Sequence, residues 1–145
     1  MDGLRDRRYR VADSAGSVVS DVVAQRDELE ALCAAIAWRR ERLAATPLDD
    51  ADAVLAVRAL ASLDERLADT IAAGPPTPLT IDREQALLLT EIAGAYVGER
   101  DFDGYAPPEE RERIALLTAL TGPLMDTCCE LAAAADEARA ASLSR

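Results

Sequence analysis

This chain of 145 residues contains no histidine, no lysine and no asparagine. Without His it lacks the commonest general base and the commonest metal ligand. Ser–His–Asp and Cys–His catalysis are therefore impossible within it. Without Lys it has neither a Schiff-base amine nor the lysine of a phosphate-binding loop. Aromatic side chains number five: one Trp, three Tyr and one Phe. The three cysteines, Cys33, Cys128 and Cys129, are an odd number without a repeated spacing, so they do not read as a disulfide framework. The opening MDGLRDRRYRV has no apolar core of a leader peptide. The longest uncharged run, Ile114–Met125, is shorter than a bilayer-spanning helix requires. These absences lead us to expect a cytoplasmic protein with no membrane association and no cofactor.

What is abundant is alanine, at 30 positions. Alanine has no side-chain entropy to lose and favours helix. It also buries little area, so an Ala-rich core is thin. Such helices gain by close approach, toward the short end of the usual 8–10 Å interaxial range, or by burying surface in an oligomer.

The net charge of −11 is unevenly placed. Residues 1–45 hold eight acids and eight Arg, whereas residues 46–145 hold nineteen acids and eight Arg. Such a surface repels phosphate, which argues against direct nucleic-acid binding. It suits solubility, a basic protein partner or a divalent cation.

Periodicity predicts an all-α fold. The stretch Ser14–Thr46 reads as one long amphipathic helix. Ala15, Val22, Leu29, Ile36 and Leu43 recur every seven residues, with Val18, Leu32 and Cys33 between them. A second apolar face carries Val23, Ala24, Ala31, Ala37, Trp38 and Ala44. Thr46-Pro47 restarts the chain, and the next helix runs to about Ala73 on the stripe Ala53, Val57, Leu60, Leu63, Leu67 and Ile71. Gly74-Pro75-Pro76 stops it. A third helix starts near Thr80 or Asp82, and its centre, Ala86–Leu89, is apolar all round. A fourth runs from about Pro108 to Ala141 with Gly122-Pro123 inside its stripe, so we expect a kink there. The expected architecture is a four-helix antiparallel bundle built on a long N-terminal helical hairpin, with a kinked long C-terminal helix. Residues 1–13, with four Arg among polar neighbours, read as a flexible N-terminal arm, and residues 14–145 as a single helical-bundle domain.

Three patterns bear on chemistry. Between the last two helices lies ERDFDGYAPPEE, residues 99–110. Over these residues alone it resembles a calcium-binding EF-hand loop. Glu99, Asp101, Asp103 and Glu110 would be carboxylate ligands, Tyr105 would give its backbone carbonyl, and Gly104 would allow the sharp turn. It departs from the motif at Glu99, where Asp is the rule, at bulky Phe102, and at Pro107-Pro108. The competing reading is an Asp-Gly turn joining two helices. Vicinal Cys128-Cys129 point about 100° apart on a helix and form no relaxed disulfide with each other. They read as inert apolar side chains, against a soft-metal site shared with Cys33. Glu109 and Glu112, and Asp126 and Glu130, place carboxylates in pairs. All-helical pyrophosphohydrolases hold magnesium with such residues, but their second Glu-x-x-Asp pair is missing here.

No catalytic constellation emerges, and we expect no enzyme. The expected function is a non-enzymatic helical protein–protein interaction module, self-associating through its long helices as a homo-oligomer, most simply a dimer. The candidate interface is Val23, Ala31 and Trp38, an apolar strip unless the bundle covers it. The alternatives are a small acidic adaptor or inhibitor that binds a basic partner surface, and a divalent-cation-binding or carboxylate-based enzyme.

Overall fold

Valine decides how the chain begins. The segment SVVSDV has three valines in six residues. A β-branched side chain loses χ1 freedom in a helix and packs well on a pleated surface. In the computed structural model, which describes residues 7–12, 17–45, 51–74, 77–101 and 107–143, this segment is a strand. The chain is nevertheless mostly helical. Strands β1 (Arg7–Ala12), β2 (Ser17–Val22) and β3 (Leu79–Asp82) accompany helices α1 (Arg26–Ala44), α2 (Ala51–Ala73), α3 (Arg83–Asp101) and α4 (Pro108–Leu143). The strands form one antiparallel sheet in the order β1-β2-β3.

One expectation is thereby corrected. The single helix over Ser14–Thr46 does not exist: its first part is β2, and α1 begins only at Arg26. The seven-residue recurrence of Val22 with Leu29 is coincidental, because Val22 lies in a strand and Leu29 in a helix. Within the segment expected as an arm, Arg7–Ala12 forms β1 and pairs residue for residue with β2, from Arg7 opposite Val22 to Ala12 opposite Ser17. The all-α expectation thus misses a small sheet.

Local signals fix where the helices start and stop. At the start of α1 the Gln25 N–H donates to Glu28 Oε1 at 2.8 Å. Glu28 is only 3% exposed, and its carboxylate meets the positive end of the helix dipole. At the start of α3, Gln85 N–H donates to Asp82 Oδ1 (2.8 Å) and Asp82 N–H to Gln85 Oε1 (3.0 Å). This reciprocal capping box launches α3 directly from β3. At the end of α2, Gly74 takes a φ of +76°, where a side chain would be strained, and its N–H reaches back to Thr70 and Ile71.

One core joins sheet and helices. Val22, Leu79 and Ile81 of the sheet meet Leu32 and Ile36 of α1, Leu63 and Leu67 of α2, Leu89 and Ile92 of α3, and Leu117, Leu120 and Leu124 of α4. Each such side chain contributes roughly 1.5–3 kcal/mol on burial. Helix α4 packs along α3 and also touches α1 and β2. Pro123 lies inside it and offers no N–H to the preceding turn. Buried Thr127 turns its hydroxyl inward along the helix, donating to the Pro123 carbonyl at 2.8 Å. By length and composition α4 is apolar enough to cross a membrane, yet its Leu117–Leu131 edge is buried within the protein. Helix α2 is the peripheral element, with α1 and β3 as its main neighbours.

The sheet is tied at its centre and at one edge. Thr80 Oγ1 donates to Asp21 Oδ1 across the β2–β3 pair at 2.5 Å. Arg66 of α2 donates from Nη1 to the Thr80 carbonyl at 2.8 Å, covering that part of the β3 edge. Ser20, opposite Ile81, is fully buried, and its hydroxyl has no hydrogen-bond partner. A buried polar group left unpaired costs about 1–3 kcal/mol. Ser20→Ala should therefore raise the unfolding free energy by about 1 kcal/mol, read as a higher urea midpoint at unchanged m-value.

Candidate functional site

The five aromatic residues of this chain place two of their rings together. Trp38 of α1 and Tyr96 of α3 meet edge to face, with centroids 5.6 Å apart and planes at 86°. This geometry suits two ring quadrupoles. Arg39 and Arg42 lie over the Trp38 ring at 5.6 and 5.4 Å, and Arg100 over the Tyr96 ring at 5.3 Å. Arg42 also forms an ion pair with Glu99. The cluster joins the last turns of α1 and α3.

Tyr96 is buried, and its hydroxyl crosses to the start of α4. It donates to Glu110 Oε1 at 2.6 Å. Arg113 Nη1 donates to Glu110 Oε2 at 3.1 Å and to the Tyr96 oxygen at 3.3 Å. Burial, and then the Glu110 carboxylate, push the Tyr96 phenol above its ordinary value. The hydrogen bond to Tyr96 pushes Arg113 up, outweighing its partial burial. Both shifts favour the forms already present at neutral pH, a neutral phenol and a cationic guanidinium. The cluster is therefore a latch between α3 and α4 and holds no group poised for proton transfer.

Arg113 also faces an open cleft of about 200 Å³ between the first turns of α1 and α4. Asp27, Glu30, Glu109 and Glu112 line it, with Ala31 and Leu116 at its floor. These acids sit where helix N-termini favour carboxylates, and Glu30 pairs with Arg26 at 3.0 Å. Among the described residues no group of three or more Cys, Asp or Glu converges as metal ligands would.

The third feature is an apolar groove of about 470 Å³ where the second half of α1 meets the first half of α2. Ala37, Ala44 and Val57 line it, flanked by Arg40 and Glu41. Arg40 reaches across to Asp64 of α2 at 2.9 Å. Close by on α2, Val54 is 41% exposed and Leu55 60%.

The residues singled out from sequence are scattered by this geometry. Val23 precedes α1, Ala31 is 3% exposed in the core, and Trp38 is half-buried on Tyr96. They form no common strip. Of the EF-like set, Asp103 and Tyr105 lie outside the described residues. Asp101 ends α3, and the other two acids already have partners, Glu99 with Arg42 and Glu110 with Tyr96 and Arg113. The thiols differ: Cys128 is buried, Cys33 half-buried and Cys129 exposed. Burial first, and Asp64 and Glu30 next, push the Cys33 thiol up, which keeps it protonated and unreactive. Sequence reasoning missed Val54 and Leu55. Their signal was there: both are large apolar residues lying off the Leu60–Leu63–Leu67 stripe.

Comparison of the chain with protein-family models, with curated proteins and with solved structures finds no significant match.

The latch makes a pH-dependent prediction. A phenol raised in the folded state contributes stability that is complete below its unfolded value near 10 and is lost as pH climbs through the folded value. Tyr96→Phe should cost about 1–2 kcal/mol at pH 7 and should abolish this alkaline loss. Urea denaturation of both proteins between pH 7 and 11 checks it.

Proposed function

We propose that this protein is a non-enzymatic helical interaction module that self-associates through its long helices. The reading is supported by the apolar groove at the α1–α2 seam, lined by Ala37, Ala44 and Val57, with exposed Val54 one turn before Val57 on α2. A single exposed aliphatic residue is ordinary, but one beside an apolar groove extends it toward a contact surface. Helix α2 is peripheral and presents that surface without rearrangement. The reading takes the four helices as an antiparallel bundle with α4 bent at Pro123, acting in the cytoplasm. Light scattering after size exclusion should give a dimer whose mass does not change with salt. Val54→Asp with Leu55→Asp should convert it to a monomer of unchanged helix content.

The acidic cleft favours a second reading, an adaptor that receives a basic partner surface. Four carboxylates around one already paired Arg113 attract guanidinium or ammonium groups. On this reading an Arg-rich peptide binds the chain, its affinity falls steeply between 50 and about 300 mM salt, and Glu109→Gln with Glu112→Gln weakens it about tenfold or more.

A further inference from the structure

The groove has an internal symmetry that specifies its occupant. Ala37, Arg40, Glu41 and Ala44 follow one another at the i, i+3, i+4 and i+7 positions of α1, which is one face of a helix. All four are exposed. Read from the point midway between residues 40 and 41, this face is small, charged, charged, small in either direction. The two charges are opposite in sign. A two-fold axis through that point, perpendicular to α1, lays a second α1 antiparallel on the first. Ala37 then meets Ala44 of the other copy, and Arg40 meets Glu41, each pair occurring twice.

An isologous interface requires this pattern, in which residue i faces j and j faces i. The parallel arrangement, with the axis along the helices, would set Arg40 against Arg40 and Glu41 against Glu41, which costs energy. Alanine on both sides allows the backbones to approach toward the short end of the usual interaxial distance. Small residues alone do not supply the roughly 800 Å² per partner of a stable contact. Val57 in the groove wall and exposed Val54, one turn before it on α2, supply larger apolar side chains beside them.

We propose that the groove between α1 and α2 seats the α1 helix of a second copy of this chain, antiparallel about a two-fold axis between Arg40 and Glu41. This inference rests on the self-association proposed above and goes further by fixing its geometry. Arg40 keeps its bond to Asp64 and adds the partner copy's Glu41, so the pair becomes a short network.

Charge reversal tests the geometry. Arg40→Glu and Glu41→Arg are each expected to weaken the dimer at least tenfold in sedimentation equilibrium, because each sets like charges opposite one another twice. Mixing the two single variants in equal amounts restores a dimer, since the new acid at position 40 faces the new Arg at position 41 and native Glu41 faces native Arg40. The double variant R40E/E41R also dimerises, its signs exchanged but still complementary. Circular dichroism confirms that each variant is folded. Among the described residues Glu41 makes no ion pair, and it sits exposed, so Glu41→Arg keeps the test decisive if Arg40→Glu, which breaks the Asp64 bond, unfolds. A native dimer that both single variants leave intact overturns this geometry and leaves self-association to another surface. A native chain that is monomeric at 100 μM overturns both.

Discussion

The antiparallel pairing of β2 with β3 holds the rest of this structure in place. It joins residues far apart in the chain through four residue pairs, from Val19 opposite Asp82 to Val22 opposite Leu79. Helix α1 leaves from the Val22 end of that short ladder and α3 from the Asp82 end. Each departure is fixed by a carboxylate or carboxamide three residues into the helix, Glu28 in one case and Gln85 in the other. With both departures set, the apolar edges of α1 and α3 converge with α2 and α4 on Val22, Leu79 and Ile81. The strands are short, but the loop they close is long, and its closure entropy is met by the fully buried side chains around it.

That constraint was the least legible part of the sequence. The leucine stripes of α2 and α4 and the apolar centre of α3 stood out because helical period repeats over many turns. The Gly74 stop and the Asp82–Gln85 cap are signals only a few residues long, and they too lie in the sequence with their chemistry intact. The strands have no such redundancy. Leu79 and Ile81 are two alternating residues beside a proline-rich connector, and β2 happens to place Val22 in step with Leu29 and Ile36. Periodicity therefore overran the true start of α1 by some three turns. The same error generated the supposed strip of Val23, Ala31 and Trp38, which requires one continuous helix. Once the helix begins at Arg26, Ala31 is core and Trp38 belongs to the ring pair with Tyr96. Exposed apolar side chains lie instead at Ala37 and Ala44 of α1, at Val54 and Leu55 of α2, and at Met125 and Leu143 of α4.

The missing residue types shape what the surface can do. A chain without His and Lys leaves its polar chemistry to carboxylates, arginines, hydroxyls and three thiols. Here the arginines are committed to aromatic faces and to acids: Arg42 to Trp38 and Glu99, Arg113 to Tyr96 and Glu110, Arg40 to Asp64. The carboxylates cluster at helix N-termini, where the fold itself uses their charge. Polar groups in this protein thus locate helices against one another.

The two borders of the sheet are guarded by different means. On the β3 side Arg66 occupies the Thr80 carbonyl, and on the β1 side the sequence RRYRVA puts three like charges into six residues. Charged residues on an edge strand are a common guard against pairing with another chain. Growth of the sheet by adding copies edge to edge is disfavoured at both borders. A chain with an exposed aliphatic seam and an unguarded strand would have two ways to associate, one of them open-ended and fibre-forming. With the second route closed, the two-fold helix contact proposed above would be finished when two copies have met.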